Sequence, residues 1–368
     1  PPAVGSPRHG RARATLGPVD KRTLLLGLGS GAGVETTQGS AEVRLGGRPT
    51  KPAVGFPAMS AELQAQPITT NRWVLGARPR TLPAAVAPVL VGTAVGVWTS
   101  VGAEDRFSFI AWRFICALIV AVAVQVATNY ANDYSDGKRG IDDPGKRVGP
   151  PRLVGDGLAT PDEVKRAMLV AFGVTLLAGA PLVILVDWRL GLVGVASVAA
   201  GWFYTGGANP YGYAGLGEVF VFVFFGLVAT VFSAYVQSGQ ITLLAFGAGA
   251  AMGLLATALL VINNLRDIPG DTASGKRTLA VRLGPPKTRI LYAVCLLGPF
   301  VLLTFIAGSS GRLVGAAAFA ALPLANVALT HVFRGAEGPA LIKVLGRTGQ
   351  VQLVYGVLLA VGLAIGPV

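Results

Sequence analysis

The chain has 368 residues, of which 52% are hydrophobic and only 13% are charged, and its mean hydropathy is +0.59. Soluble domains carry about 25% charged residues, so this composition excludes an ordinary soluble protein and predicts a polytopic membrane protein. The net charge of +13 does not indicate nucleic-acid binding, because from residue 81 onward the basic residues lie almost entirely in alternate loops. Neither the two cysteines nor the two histidines have the spacing of a zinc or haem site.

The first 66 residues differ from the rest of the chain. They are rich in Gly, Pro, Arg and Thr and contain no apolar run long enough to cross a bilayer. A glycine-rich stretch at 27–33 has no βαβ pattern around it, so it does not predict a nucleotide site. We therefore expect residues 1–66 to be a disordered or artefactual N-terminal extension, and residues 67–368 to form a membrane domain.

Nine apolar segments follow the extension. Each is about the length that a helix needs to cross ~30 Å of hydrocarbon. Glycine, alanine and serine recur in them, as in membrane helices that approach one another closely. The predicted spans are 82–102, 109–131, 167–187, 189–205, 216–237, 241–262, 289–308, 312–331 and 350–367.

The distribution of basic residues predicts the orientation of these spans. With the N-terminus in the cytoplasm, the inner loops hold sixteen Lys and Arg residues and the outer loops hold four. An excess of this kind is typical of cytoplasmic loops. We therefore expect a multi-pass membrane protein, with its N-terminus and the loops after the second and sixth spans on the cytoplasmic side.

These two cytoplasmic loops each carry a short acidic motif, at 132–143 and at 263–271. Carboxylates near membrane depth are costly and usually mark functional sites. Two ordinary polar loops are the alternative, but the matching positions of the motifs, each beside an Asn at a helix end, argue against it. Because Mg²⁺ prefers oxygen ligands and leaves positions for phosphate, two such clusters facing each other predict a site for Mg²⁺ and a diphosphate. The candidate metal ligands are Asn132, Asp133, Asp136, Asp142, Asp267 and Asp271.

The spacing within the motifs predicts which side chains lie together. The first two aspartates of the first motif are three residues apart and those of the second are four apart, so each pair is expected to share a helical face. Gly137 and Gly140 are expected to break the first helix, so that Asp142 arrives from a loop. Pro269 is expected to kink or end the second helix.

Basic and aromatic residues surround the motifs. Lys138, Arg139, Arg152, Lys276 and Arg277 are candidates for contacts with phosphate oxygens, although a purely topological role explains each equally well. The segment 204–218 has three tyrosines and five glycines but no basic residue. An interfacial aromatic belt would account for it. We favour instead a wall or lid of the pocket, with aromatic faces near a developing cation.

The motifs resemble those of the UbiA superfamily of intramembrane prenyltransferases, with Asn-Asp-x-x-Asp in the first loop and Asp-x-x-x-Asp in the second. The superfamily has a third Asp where this chain has Gly140, whereas its 1,4-dihydroxy-2-naphthoate polyprenyltransferase branch has Gly-x-Asp, as at 140–142 here. A lysine frequent in the third loop of the wider family is Ala208 here, so its role is not carried over. The stretches similar to the branch are 77–83, 132–137, 149–154, 204–218 and 265–271.

This resemblance implies an all-α bundle of nine transmembrane helices around a central cavity, in the plasma membrane of a bacterium with the active site on the cytoplasmic side. It implies that Mg²⁺ and the acidic motifs bind a polyprenyl diphosphate, and that a naphthoate ring attacks the resulting allylic cation and loses CO₂, giving demethylmenaquinone. Catalytic roles then fall on Asp133, Asp136, Asp267, Asp271 and Tyr204. Substrate-binding roles fall on Arg78, Arg80, Lys138, Arg139, Arg152, Asn264, Lys276 and Arg277, with Arg152 the first choice for the carboxylate of the naphthoate.

Two alternatives remain at this point. Another prenyltransferase of the same superfamily would use a different acceptor, such as haem, a benzoate or a sugar phosphate. An ion-coupled transporter would also carry intramembrane carboxylates, but such carboxylates lie near the midplane at broken helices. Acidic motifs at helix ends on one side of the membrane favour the enzyme.

Overall fold

The computed structural model describes residues 71–104, 109–141, 148–311 and 313–365, with side chains described outside 101–104 and 365. Throughout these ranges the chain forms helices and turns and no strand, which confirms the predicted all-α class. The predicted extension at 1–66 and the candidate ligand Asp142 lie outside the described residues.

Ten helices make up the described fold. Eight of them, α2–α4 and α6–α10, are long and apolar enough to cross a membrane. Helix α5 occupies the fourth predicted span, but its 14 residues extend only about 21 Å. The count of nine spans is therefore approximate. The helices are α1 Arg72–Ala77, α2 Pro83–Glu104, α3 Ala111–Lys138, α4 Pro161–Leu185, α5 Leu190–Phe203, α6 Gly217–Ser238, α7 Leu243–Ala273, α8 Leu279–Ser310, α9 Leu313–Phe333 and α10 Ala340–Ile365.

Helices α3 and α7, which carry the two acidic motifs, extend further than the sequence predicts. Gly137 lies inside α3 instead of breaking it, and a Cβ at this position would approach Val154 to 2.4 Å. The chain leaves the helix only after Lys138, through Gly140 at a φ of 67°. Pro269 does not end α7, which runs on to Ala273. The aspartates of the motifs are therefore held on helical turns.

Helix α8 begins earlier than the predicted seventh span because it consists of two parts. Thr278 caps its N-terminus by accepting a hydrogen bond from the amide of Val281. The backbone then leaves helical geometry at Gly284, with φ 71° and ψ 168°, immediately before Pro285 and Pro286. A positive φ of this size suits glycine, and the two prolines begin the second part well.

The core of the bundle is centred on α7. Its residues Ala248, Met252, Leu255 and Ala258 are fully buried. A Cβ on Gly226 of α6 would lie 2.3 Å from the Cα atom of Gly253, so the two helices touch backbone to backbone. Peripheral helices instead expose large apolar side chains, as expected for surfaces that face lipid.

Candidate functional site

A cavity of about 900 Å³ opens between the helices, and both acidic motifs line it. Its polar end is formed by the last turns of α3 and α7. Apolar side chains such as Val124, Val183 and Phe224 form walls beyond that end. Leu176 and Ile184 line the cavity and are also 62% and 78% exposed, so the cavity reaches the apolar outer surface of the bundle.

The first motif presents Asn132 and Asp136 to the cavity. These residues are four apart on α3 and therefore lie on the same face. The amide oxygen of Asn132 accepts a hydrogen bond of 2.8 Å from the Thr205 hydroxyl. The Asp136 carboxylate accepts one from the Tyr213 hydroxyl and forms an ion pair of 3.0 Å with Lys276. The Lys276 pair joins α3 to the residues that follow α7.

The second motif presents Asp267 and Asp271, because α7 stays helical through Pro269. The Arg266 guanidinium binds both carboxylate oxygens of Asp267 at 2.7 Å. Its side chain is only 2% exposed. Asp271 accepts a hydrogen bond of 3.4 Å from the Thr278 hydroxyl. The predicted shared face of this pair is confirmed.

Asp133 does not share the cavity-lining face of Asp136, so the predicted pairing of these two side chains is wrong. One residue along an α-helix is a rotation of about 100°, which turns Asp133 away from the face that carries Asn132. Its carboxylate is 1% exposed and pairs with Arg78 and, at 2.8 Å, with Arg152. Both arginines line the cavity, whereas Asp133 is not among its lining residues.

The other predicted basic residues divide into two groups. Arg80 and Lys276 line the cavity, as does the amide side chain of Asn264. Lys138, Arg139 and Arg277 do not. Arg139 donates to the carbonyls of Thr205 and Gly207 and to the Tyr213 hydroxyl. Lys138 lies 5.7 Å from the Tyr134 ring centre, and Arg277 is exposed.

The glycine- and tyrosine-rich segment after α5 forms a wall of the cavity. Tyr204, Tyr211 and Tyr213 all line it, and the Tyr204 and Tyr211 rings meet edge to face at 5.5 Å. A Cβ on Gly212 would lie 2.6 Å from the Tyr204 carbonyl oxygen, so a larger residue would displace the segment. Burial and the nearby Asp136 carboxylate raise the pKa of Tyr213, so its hydroxyl stays protonated at neutral pH.

Sequence reasoning missed two polar residues of the site. Arg266 and Asn263 both line the cavity, and the Arg266 guanidinium also donates to the Asn263 amide oxygen at 2.8 Å. A basic residue directly before the first aspartate of the second motif was a visible signal. It was counted only toward topology, because its burial depends on the continuation of α7.

The oxygen atoms at the polar end of the cavity suit Mg²⁺. Asp136, Asp267, Asp271 and the amide of Asn132 supply hard ligands. Within the described ranges no three acidic, His or Cys side chains converge on one point. Mg²⁺ commonly takes one or two carboxylates and completes its octahedron with water and substrate phosphate, so this dispersed set fits the ion.

The fold and the site together define a class: a polytopic helical membrane protein whose cavity carries two acidic motifs beside arginine and lysine side chains. The model of the UbiA prenyltransferase family matches residues 86–365. The chain belongs to this family.

Individual relatives agree with the match. The chain is 46% identical over 297 residues to a 1,4-dihydroxy-2-naphthoate octaprenyltransferase of Mycobacterium tuberculosis, covering 80% of this chain and 97% of the relative. It is 37% identical over 301 residues to the Escherichia coli protein of the same name, covering 80% and 95%. A solved UbiA homolog from Archaeoglobus fulgidus bound to GPP and Mg²⁺ has the same fold, with a TM-score of 0.56, 13% identity, and coverage of 78% of this chain and 99% of that one.

Proposed function

We propose that this protein transfers a polyprenyl group from a polyprenyl diphosphate to 1,4-dihydroxy-2-naphthoate. The carbon–oxygen bond to the diphosphate breaks, a carbon–carbon bond forms at the ring carbon that bears the carboxylate, and CO₂ leaves. The products are diphosphate and demethylmenaquinone in its quinol form. The observation that carries the proposal is a single cavity with acidic and basic groups at one end and apolar walls beyond.

The acidic groups would hold Mg²⁺ through Asn132, Asp136, Asp267 and Asp271. When bound, Mg²⁺ neutralises the charge that develops on the departing diphosphate. Lys276 lies 3.0 Å from Asp136 and lines the same cavity, so its ammonium group is available to a phosphate oxygen.

The apolar walls suit the prenyl tail. The cavity of about 900 Å³ reaches side chains that are exposed on the outer surface of the bundle, so a long tail can extend toward lipid. Tyr204 and Tyr211 line the same cavity, where an aromatic ring would stabilise a positive allylic group. The apolar walls also keep water away from that cation.

The acceptor is a carboxylate and needs a cation until CO₂ leaves. Arg78, Arg80 and Arg152 line the cavity and are available for this contact. Similarity to relatives named as naphthoate octaprenyltransferases supports this choice of acceptor. The acidic residues of α3 and α7 lie in the final turns of unbroken helices, which does not favour an ion-coupled transporter.

The test is incubation of purified protein with a polyprenyl diphosphate, Mg²⁺ and one acceptor at a time: the dihydroxynaphthoate, a hydroxybenzoate or haem. Mass spectrometry should detect a prenylated, decarboxylated naphthoate and no product from the other two. Asp136→Ala, prepared in parallel, is the matched inactive control. Prenylation of the benzoate or haem in place of the naphthoate would reject the proposed acceptor.

Arg152→Gln tests how the acceptor is bound. We expect the KM for the naphthoate to rise about tenfold or more, because a charge-assisted contact is lost, with little change in the KM for the prenyl diphosphate. A higher KM for the prenyl diphosphate alone would assign Arg152 to the phosphate. Unchanged kinetics would leave it only a role in anchoring the loop.

A further inference from the structure

Asp133 has an environment unlike that of the other acidic residues of the site. One carboxylate oxygen accepts hydrogen bonds from Arg78 and, at 2.8 Å, from Arg152. The other accepts a hydrogen bond of 3.2 Å from the amide of Leu153. The side chain is 1% exposed. Both oxygens are thus engaged by groups of the protein, and Asp133 is not among the residues that line the cavity.

The two arginines come from different parts of the chain. Arg78 lies between α1 and α2, and Arg152 lies in the loop between α3 and α4. Their side chains are 24% and 13% exposed and line the same cavity. Asp133 on α3 is the described residue on which both guanidinium groups converge, so it fixes their positions relative to each other.

The backbone around Arg78 is held in an unfavourable conformation. Arg78 has a φ of 54°, the one positive φ at a non-glycine residue in the described ranges. Such a conformation is costly for a residue with a Cβ and persists where its surroundings enforce it. The Asn129 side chain helps to enforce it by donating a hydrogen bond of 2.9 Å to the carbonyl of Ala77. The result directs the Arg78 side chain onto Asp133.

The loop that carries Arg152 is also held in place, by packing and hydrogen bonds at Leu153. Leu153 is fully buried, and its carbonyl accepts a hydrogen bond of 2.8 Å from the amide of Ala159. A Cβ on Gly76 of α1 would lie 2.5 Å from Leu153, so the segment before Arg78 and the loop of Arg152 are in direct contact. Asp133 bonds to both segments, through the Arg78 guanidinium and the Leu153 amide.

We propose that Asp133 is a positioning residue and not a metal ligand: it is the shared counter-ion that aims Arg78 and Arg152 at the carboxylate of the acceptor. Two guanidinium groups converge on this one carboxylate and both line the cavity, so Asp133 holds two cationic groups beside the space that an incoming anion would enter. The inference rests on the proposed function, because it assigns the acceptor side of the same cavity.

The test compares Asp133→Asn with Arg152→Gln and Asp136→Asn in two measurements. The first is the KM for acceptor and for prenyl diphosphate. The second is the Mg²⁺ concentration that half-maximally stabilises the purified protein against heat in the presence of inorganic diphosphate. Asp133→Glu, which keeps the charge, is the conservative control.

We expect Asp133→Asn to raise the acceptor KM about tenfold or more, as Arg152→Gln does, since charge-assisted hydrogen bonds are lost in both. A double variant of Asp133→Asn and Arg152→Gln should be less impaired than the product of the two single effects, because both substitutions act on the same ion pair. The Mg²⁺ midpoint should stay at the wild-type value in Asp133→Asn and rise in Asp136→Asn. Asp133→Glu should retain more acceptor affinity than Asp133→Asn.

Two results would overturn the inference: a raised Mg²⁺ midpoint in Asp133→Asn, or an unchanged acceptor KM. If Asp133→Asn does not reach the membrane in folded form, Arg78→Gln tests the cluster from its other side and should raise the acceptor KM alone. A rise only in the KM for prenyl diphosphate would again reject the assignment. The heat-stability measurement needs no acceptor, so it still tests metal binding by Asp133 if the naphthoate proves not to be the substrate.

Discussion

The ion pair between Arg266 and Asp267 leads to a prediction about the stability of the fold. The sequence pattern places Asp267 in a cytoplasmic loop, and a solvated carboxylate there would contribute little to stability. In the structure its two carboxylate oxygens accept hydrogen bonds of 2.7 Å from Nε and Nη2 of Arg266, whose side chain is 2% exposed. We therefore expect Asp267→Ala to impair folding as well as activity.

The loss of stability in Asp267→Ala depends on the Arg266 charge that stays buried without its partner. Removing one partner of a buried ion pair costs about 3–5 kcal/mol, because the remaining charge stays buried without compensation. The Asn263 oxygen, 2.8 Å from the guanidinium, retains one hydrogen bond and favours the lower end of this range. Asp271→Ala is the matched control. It removes a carboxylate whose described side-chain bond is to Thr278 at 3.4 Å, and it should cost about 1 kcal/mol or less.

The assay is unfolding of purified variants in mixed micelles with increasing denaturing detergent, followed by circular dichroism. A double variant of Arg266→Met and Asp267→Ala should be more stable than Asp267→Ala alone, because no unpaired charge remains. Equal free energies of unfolding for Asp267→Ala and Asp271→Ala would refute the reasoning. A double variant that is less stable than Asp267→Ala would also refute it.

Three further outcomes are expected. Chelation by EDTA should abolish prenyl transfer and added Mg²⁺ should restore it; full turnover in chelator would remove the metal from the mechanism. Deletion of residues 1–66 should leave the specific activity nearly unchanged, and a truncated protein that inserts normally but is inactive would contradict this. Gly137→Ala should lower stability, since its Cβ would lie 2.4 Å from Val154, and Val154→Ala should recover much of the loss. Failure of that rescue in thermal unfolding would show that the loop contact is not the cause.

The membrane character of the chain and the location of the site could be predicted from the sequence. Long apolar segments separated by basic loops leave few alternatives to a helical bundle. The aspartates at the ends of two such segments predict a site because charge at that depth is costly. In the structure Asp136, Asp267 and Asp271, which come from both motifs, line one cavity.

Helix ends and side-chain directions could not be predicted in the same way. Pro269 removes one backbone hydrogen bond, and sequence rules take this as a helix end. Inside a bundle neighbouring groups can compensate, so α7 continues and carries Asp271 onto the cavity face. Likewise Gly137 is present because Val154 packs against it, a contact between segments that no local pattern reveals.

Asp133 shows the same limit in the chemistry of the site. In the motif it looks equivalent to Asp136, since both are aspartates in one helical turn beside Asn132. At about 100° per residue, Asp133 is turned away from the face shared by Asn132 and Asp136, so the Asp136 carboxylate lines the cavity whereas the Asp133 carboxylate pairs with two arginines. A motif shows which groups are present, but the rotation of the helix determines which of them line the cavity.

The described ion pairs at the polar end indicate how such a cavity tolerates its charges before substrate arrives. Asp136 pairs with Lys276 at 3.0 Å and Asp267 with Arg266 at 2.7 Å. Isolated charges at this depth would be costly, and pairing reduces that cost. On the proposed function, Asp136, Asp267 and Asp271 would hold Mg²⁺ and Lys276 would contact a phosphate oxygen, so substrate binding would exchange the partners of these charged groups. Asp133, Arg78 and Arg152 take no part in this exchange. In the role proposed above, the two arginines therefore stay in place for the acceptor.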